Sequence, residues 1–177
     1  MGCSVDRTIH DIGEQKMLLF KQYKELDSAS KLKIANSDEP GERLLLCLQF
    51  VHKKDQKILA NQKVKFYHTN TKGEYMPINP GDESSARLSG TAITDKNGKL
   101  FLETILPGDY GSTDDNRHIH STVFGASPEG YDIHFKQYSS YMSKRFIEGS
   151  DQHFLADINR MKDGRLIVFL TISCKFN

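Results

Sequence analysis

Residues 90–111, "GTAITDKNGKLFLETILPGDYG", constrain the fold more than any other stretch. Two short segments of alternating character flank Asp-Lys-Asn-Gly, and a Pro-Gly pair ends the second. Asn-Gly favours the positive φ of a tight turn, so this stretch reads as two antiparallel strands and not as a helix. The pattern recurs along the chain. "RLLLCLQFVHK" is a strand followed by a "KDQK" turn, and "KVKFYHTN" alternates as a half-buried strand does. "RHIHSTVFG" is a further strand, and "DGRLIVFLTISCKF" closes the chain with a turn and an apolar run. "NTKGEY" and "NPGDESS" are loops. Short strands at regular turn spacing predict a mainly β fold, a β-sandwich. Residues 11–35 differ. Met17, Leu18, Phe20, Tyr23 and Leu26 recur at three- and four-residue steps, which predicts helix. The expected organisation is a helical arm over residues 1–38 and a β-sandwich domain over 39–177.

Composition narrows the function classes. The chain has 177 residues, with 24 basic and 23 acidic side chains, a net charge of +1. No basic run calls for nucleic acid, and no apolar run reaches the ~18 residues of a membrane span. The three cysteines are scattered and odd in number, which argues against a disulfide framework or a CxxC zinc site. Cys47 and Cys174 sit in apolar runs and read as small core residues. The opening "MGCSVD" has no signal peptide and misses the myristoylation pattern, because Asp6 stands where Ser or Thr is needed. The localisation reading is cytoplasmic as written. The other reading is an exported lipoprotein whose signal was removed ahead of Gly2-Cys3.

The chemistry concentrates in "PGDYGSTDDNRHIH". On a strand, His118 and His120 point to the same face, which makes half of a metal site. Tyr110 lies on the turn before them, and Tyr75 ends the loop after the "VKFYHTN" strand. A phenol holds its proton to about pH 10, but a highly charged cation can strip it. Imidazoles with hard anionic oxygens suit iron, and two tyrosinates would stabilise the ferric state. Spacing alone leaves the ordinary reading open, a structural His-x-His beside a turn tyrosine. His10, His52, His68, His134 and His153 read as ordinary surface or core residues, with His68 the one nearest the expected site.

Residues 64–123 resemble the intradiol ring-cleavage dioxygenases, the superfamily of catechol and protocatechuate dioxygenases. The resemblance rests on an ordered set: "VKFYHTNTKGEY" ending in G-x-Y, Gly90, "TDKNGKLFLETILPGDY", and "HIH", with "DGRLIVFLTI" as the last strand. It implies an intradiol-type sandwich and a non-haem Fe(III) held by Tyr75, Tyr110, His118 and His120. It also implies an oxidoreductase that uses dioxygen to open a catechol-type ring between its two hydroxylated carbons. In the family the substrate displaces the PG-x-Y tyrosine, here Tyr110.

Two departures matter. The family's arginine before HIH falls at Asp115 here, and the arginine present is Arg117, directly before His118. Strand alternation starts Arg117 on the face opposite His118, although a bulge can turn it. The family's glutamine after HIH has Gln137 as its candidate, and a surface amide is the competing reading. With only a short arm, the chain looks like a stripped-down sandwich of the protocatechuate type, so a homo-oligomer is expected. The competing functions are a non-catalytic transthyretin-like sandwich that binds without reacting, and a zinc or copper site made by His118 and His120 alone.

Overall fold

The computed structural model describes residues 5–177. Cys3 and the glycine-cysteine question lie outside the described residues. Among the described residues, eleven strands form two facing sheets, accompanied by two α-helices. The larger has the order β1 (His10–Asp11), β10 (Asn159–Arg160), β11 (Leu166–Cys174), β3 (Arg43–His52), β6 (Lys99–Ile105), β2 (Lys31–Lys33). The smaller runs β5 (Leu88–Ile93), β4 (Lys63–His68), β7 (His118–Val123), β8 (Gly130–Phe135), β9 (His153–Ala156). The fold is therefore the β-sandwich that the turn spacing predicts.

β3 shows why its sequence is an unbroken apolar run. Leu44, Leu46, Leu48 and Phe50 point into the sandwich and join Phe66, Ile119, Ile133 and Val168. Leu45 and Cys47 point outward, where helix α1 (Glu14–Lys24) covers them with Phe20 and Tyr23. A strand covered on both faces loses the polar alternation of a half-solvated one. Cys47 and Cys174 are buried and free, as their apolar neighbours predict.

The helical expectation for residues 11–35 is corrected at both ends. The α-helix is Glu14–Lys24, and His10–Asp11 and Lys31–Lys33 are strands. Leu32 pairs with Leu102 in parallel and its side chain lies over Gly90 of β5, where an added Cβ would come within 2.8 Å of it. Burial of Leu32 at this edge outweighs continuation of the helical period. The first segment thus supplies both edge strands of the six-stranded sheet. Helix α2 (Tyr141–Glu148) lies between β8 and β9 and starts at Ser140, whose hydroxyl accepts from the Ser143 N–H. No described helix is long and apolar enough to cross a membrane.

Candidate metal centre

β7 supplies the two histidines. Its burial alternates: Ile119, Ser121 and Val123 face the core, and His118, His120 and Thr122 face outward. The period-two reading of "HIH" is therefore realised on the outer face of the five-stranded sheet. Register fixes the neighbours: Tyr67 of β4 lies opposite His120 on one side, Asp132 of β8 opposite it on the other, and His134 opposite His118.

The two tyrosines arrive on loops that touch backbone to backbone. Gly73 takes φ +79°, and an added Cβ would sit 1.9 Å from the Asp109 carbonyl oxygen. Gly108 is as tight, with the Thr71 carbonyl oxygen 2.4 Å from its would-be Cβ. The Gly108 N–H donates to the Asn70 carbonyl at 2.9 Å, and the Thr69 hydroxyl donates to the Gly108 carbonyl at 3.1 Å. The glycines of "KGEY" and "PGDY" thus let the loops close, and the rings of Tyr75 and Tyr110 lie 5.2 Å apart.

Hydrogen bonds set the imidazoles. His120 Nδ1–H donates to Asp132 Oδ1 at 2.7 Å, and His118 Nδ1–H donates to the Asn116 carbonyl at 2.9 Å. A partner that only accepts fixes the proton on Nδ1 of a neutral imidazole. Each Nε2 is then an acceptor with a lone pair, and the two Nε2 atoms face each other at 3.0 Å. The Tyr75 hydroxyl donates to His120 Nε2 at 2.7 Å. Lone pairs aimed at one another favour a cation between them, so the donor set fits a metal ion. Tyr67 stacks on His120 at 4.6 Å and holds the ring in plane. Tyr110 is 39% exposed and its hydroxyl donates to Glu83 Oε1 at 2.7 Å, so it is the more exposed of the two phenols.

Electrostatics agree with neutral donors. Burial, then the neighbouring His120, pushes the His118 pKa below its usual value. Burial raises the Tyr75 phenol, and the Glu83 bond raises Tyr110, so without a cation both hold their protons. Burial pushes the Asp132 carboxyl up, but the His120 hydrogen bond and the surrounding imidazoles outweigh it, and its pKa is lowered overall.

The structure thus brings Tyr75, Tyr110, His118 and His120 together. The Arg117 guanidinium is 4.3 Å from the Tyr138 ring centre, and its Nε is 3.5 Å from Oδ2 of Asp109, the neighbour of Tyr110. Asp115, with φ +63°, is held by Arg7 through bonds of 2.6 and 2.8 Å. Gln137 is 4% exposed and spends its amide within the fold. Its NH2 donates to Asp157 at 2.9 Å and to the Thr8 carbonyl at 3.2 Å, and its carbonyl accepts from the Ile158 N–H at 3.2 Å. His68 is fully buried, donates from Nδ1 to the Thr69 carbonyl and accepts at Nε2 from Thr104, each at 2.7 Å. It buttresses the loop behind the site.

Sequence reasoning passed over Asp132, His134 and His153. The alternation in "GYDIHF" was the available signal, since it puts Asp132 and His134 on one face of a strand. A cavity of about 490 Å³ opens beside His118, lined by Asp132, His134, His153, Met142 and Phe146 among others.

A family model described as Dioxygenase matches residues 19–174. The chain belongs to the intradiol ring-cleavage dioxygenase family. Catechol 1,2-dioxygenase of Acinetobacter baylyi is 33% identical over 86 residues, which are 48% of this chain and 28% of that enzyme. The match thus spans under a third of that relative. Among solved structures, the dioxygenase domain of a carbohydrate-binding fusion protein from Streptomyces sp. SirexAA-E has TM-score 0.60 at 18% identity, covering 86% of this chain and 93% of that one. An intradiol ring-cleavage dioxygenase from Tetranychus urticae has TM-score 0.58 at 21% identity, with 81% and 85% covered. These likenesses show the shared sandwich.

Proposed function

We propose that this chain is a non-haem Fe(III) dioxygenase that opens a catechol-type ring between its two hydroxylated carbons with dioxygen. The observation that carries the reading is the pair of Nε2 lone pairs on His118 and His120 facing each other at 3.0 Å, with a phenol from each of two loops beside them. Tyr75, Tyr110, His118 and His120 would hold the ion. Bound there, ferric iron would chelate the two diol oxygens and draw charge from the ring, so that it can meet dioxygen. The chain's own residues supply the rest. Asp132 and the Asn116 carbonyl keep both imidazoles in the donor tautomer. Tyr75 is 7% exposed and fixed, whereas Tyr110 reaches Glu83 and is the phenol free to leave and take up a diol proton. Met142 and Phe146 on the cavity wall offer apolar contact to a ring.

Metal content and turnover test the proposal. Purified protein should carry about one iron per chain, be red-brown from tyrosinate-to-iron charge transfer, and convert catechol to a muconic acid. A colourless protein that takes up no iron after ferric reconstitution would leave the transthyretin-like binding module as the reading. Self-association belongs to the same proposal. Tyr141, Met142 and Phe146 of α2 are 54%, 72% and 66% exposed, apolar surface that a second copy would cover. Sedimentation velocity should show more than a monomer.

A further inference from the structure

We propose that Asp132, His134 and His153 form a second cation site, suited to a borderline divalent transition ion such as Zn2+ and adjoining the tyrosine-histidine centre. The donors come from adjacent strands. β8 and β9 run parallel with Asp132 opposite His153, and His134 follows two residues after Asp132 on the same face. His134 Nε2 lies 3.0 Å from His153 Nδ1, and that same Nδ1 lies 3.7 Å from Asp132 Oδ2. All three donors fall within 4.8 Å of one another. An ion at roughly 2.0–2.1 Å from tetrahedral ligands separates them by about 3.3 Å, so closing this set takes only small side-chain shifts.

The surroundings favour an ion of this class. Asp132 Oδ1 is committed to His120, which aims Oδ2 at His153. The carboxylate is thereby shared between the two centres. His134 is stacked on His118 at 5.3 Å, and its Nε2 faces His153 Nδ1. A neutral imidazole is the form that binds a metal. Two imidazoles and one carboxylate make the three-ligand set of an open zinc site, and the cavity beside them leaves room for a water as the fourth ligand. The competing account is a hydrogen-bonded imidazole pair with no ion.

The site is independent of whether the first centre takes iron, and metal counting separates the two. The purified protein is dialysed against micromolar Zn2+, and bound zinc and iron are both counted by mass spectrometry. The expected result is about one zinc per chain, lost in His134→Gln and in His153→Gln, kept in Tyr75→Phe, with iron unchanged in the two glutamine variants. Far-ultraviolet circular dichroism checks that the variants are folded. Titration of wild-type protein with Co2+ adds a readout that needs no variant, because a four-coordinate Co2+ site has intense visible bands. No zinc uptake and no such bands overturn the proposal. Uptake that survives His153→Gln but is lost in His118→Ala also overturns it, because the zinc then sits in the first centre.

Discussion

The Tyr110 ring lies beside Tyr75 and His118, and its hydroxyl donates to Glu83 at 2.7 Å. Removing that oxygen should separate binding from turnover. Tyr110→Phe is expected to keep iron, because three donors remain, while slowing ring opening by roughly 10²- to 10⁴-fold through loss of the proton acceptor. Its thermal stability should change by no more than about 0.5 kcal/mol, since the ring is partly exposed. Full activity in Tyr110→Phe would remove that role. The histidines behave differently, because each supplies a lone pair with its tautomer already fixed. His118→Ala or His120→Ala should lose iron itself. Asp132→Asn should weaken iron binding by about 10- to 100-fold by loosening the His120 tautomer, measured by competition with a ferric chelator. Arg117 is packed on Tyr138 and Asp109. Arg117→Ala is therefore expected to lower thermal stability modestly and to leave turnover on small catechols within about threefold, by the usual scale of surface substitutions. A large loss of turnover at constant iron would return it to the active site.

Elements place these residues with unequal tolerance. β7 and β8 are fixed by pairing inside the five-stranded sheet, one face of which must stay in the core, so a slip of one residue would turn His118 and His120 inward. The tyrosine loops have no sheet to hold them and depend on the contact between Gly73 and Gly108. Gly73 and Gly81 make a controlled pair. Both have positive φ, +79° and +83°, but only Gly73 has a backbone atom in the way of a Cβ. Gly81→Ala should cost about 1 kcal/mol of backbone strain and leave iron bound. Gly73→Ala should cost more and separate the two tyrosine loops, lowering both melting temperature and iron content. Equal behaviour of the two variants would show that the loops are not held by this contact.

The whole sandwich has a pH limit written into its core. His68 is completely buried and its pKa is pushed down to about 4 by burial. In the unfolded chain the same imidazole takes a proton near pH 6.5. Between those values the unfolded state binds a proton that the folded state refuses, so stability is full above about pH 6.5 and falls as pH drops toward 4. The loss from His68 alone is on the order of 3 kcal/mol. Urea midpoints at pH 7 and pH 4.5 should show it, and His68→Gln should flatten that slope while lowering stability at pH 7 through the lost Thr104 bond. An unchanged slope in His68→Gln would mean that other groups carry the acid sensitivity.

Sequence alone determined the strands that carry their own punctuation. "TDKNG", "PGDY" and the alternation in "HIH" are local facts, because turn chemistry and a period of two need no partner to be read. The same locality made Tyr75, Tyr110, His118 and His120 nameable from a contiguous ordered stretch. Tertiary structure decided what depends on register and cover. Lys31–Lys33 pairs with β6 because Leu32 finds a partly buried place over Gly90, which no helical period reveals. His134 and His153 look ordinary in the chain, and only the pairing of β7 with β8 and of β8 with β9 sets them beside His118 and Asp132. Arg117 and Gln137 were legible as candidates but not in their partners, since Tyr138, Asp109, Thr8 and Ile158 reach them through packing between distant segments. Local sequence fixes which way a side chain starts from its strand; what it meets is set by the neighbouring strands and loops.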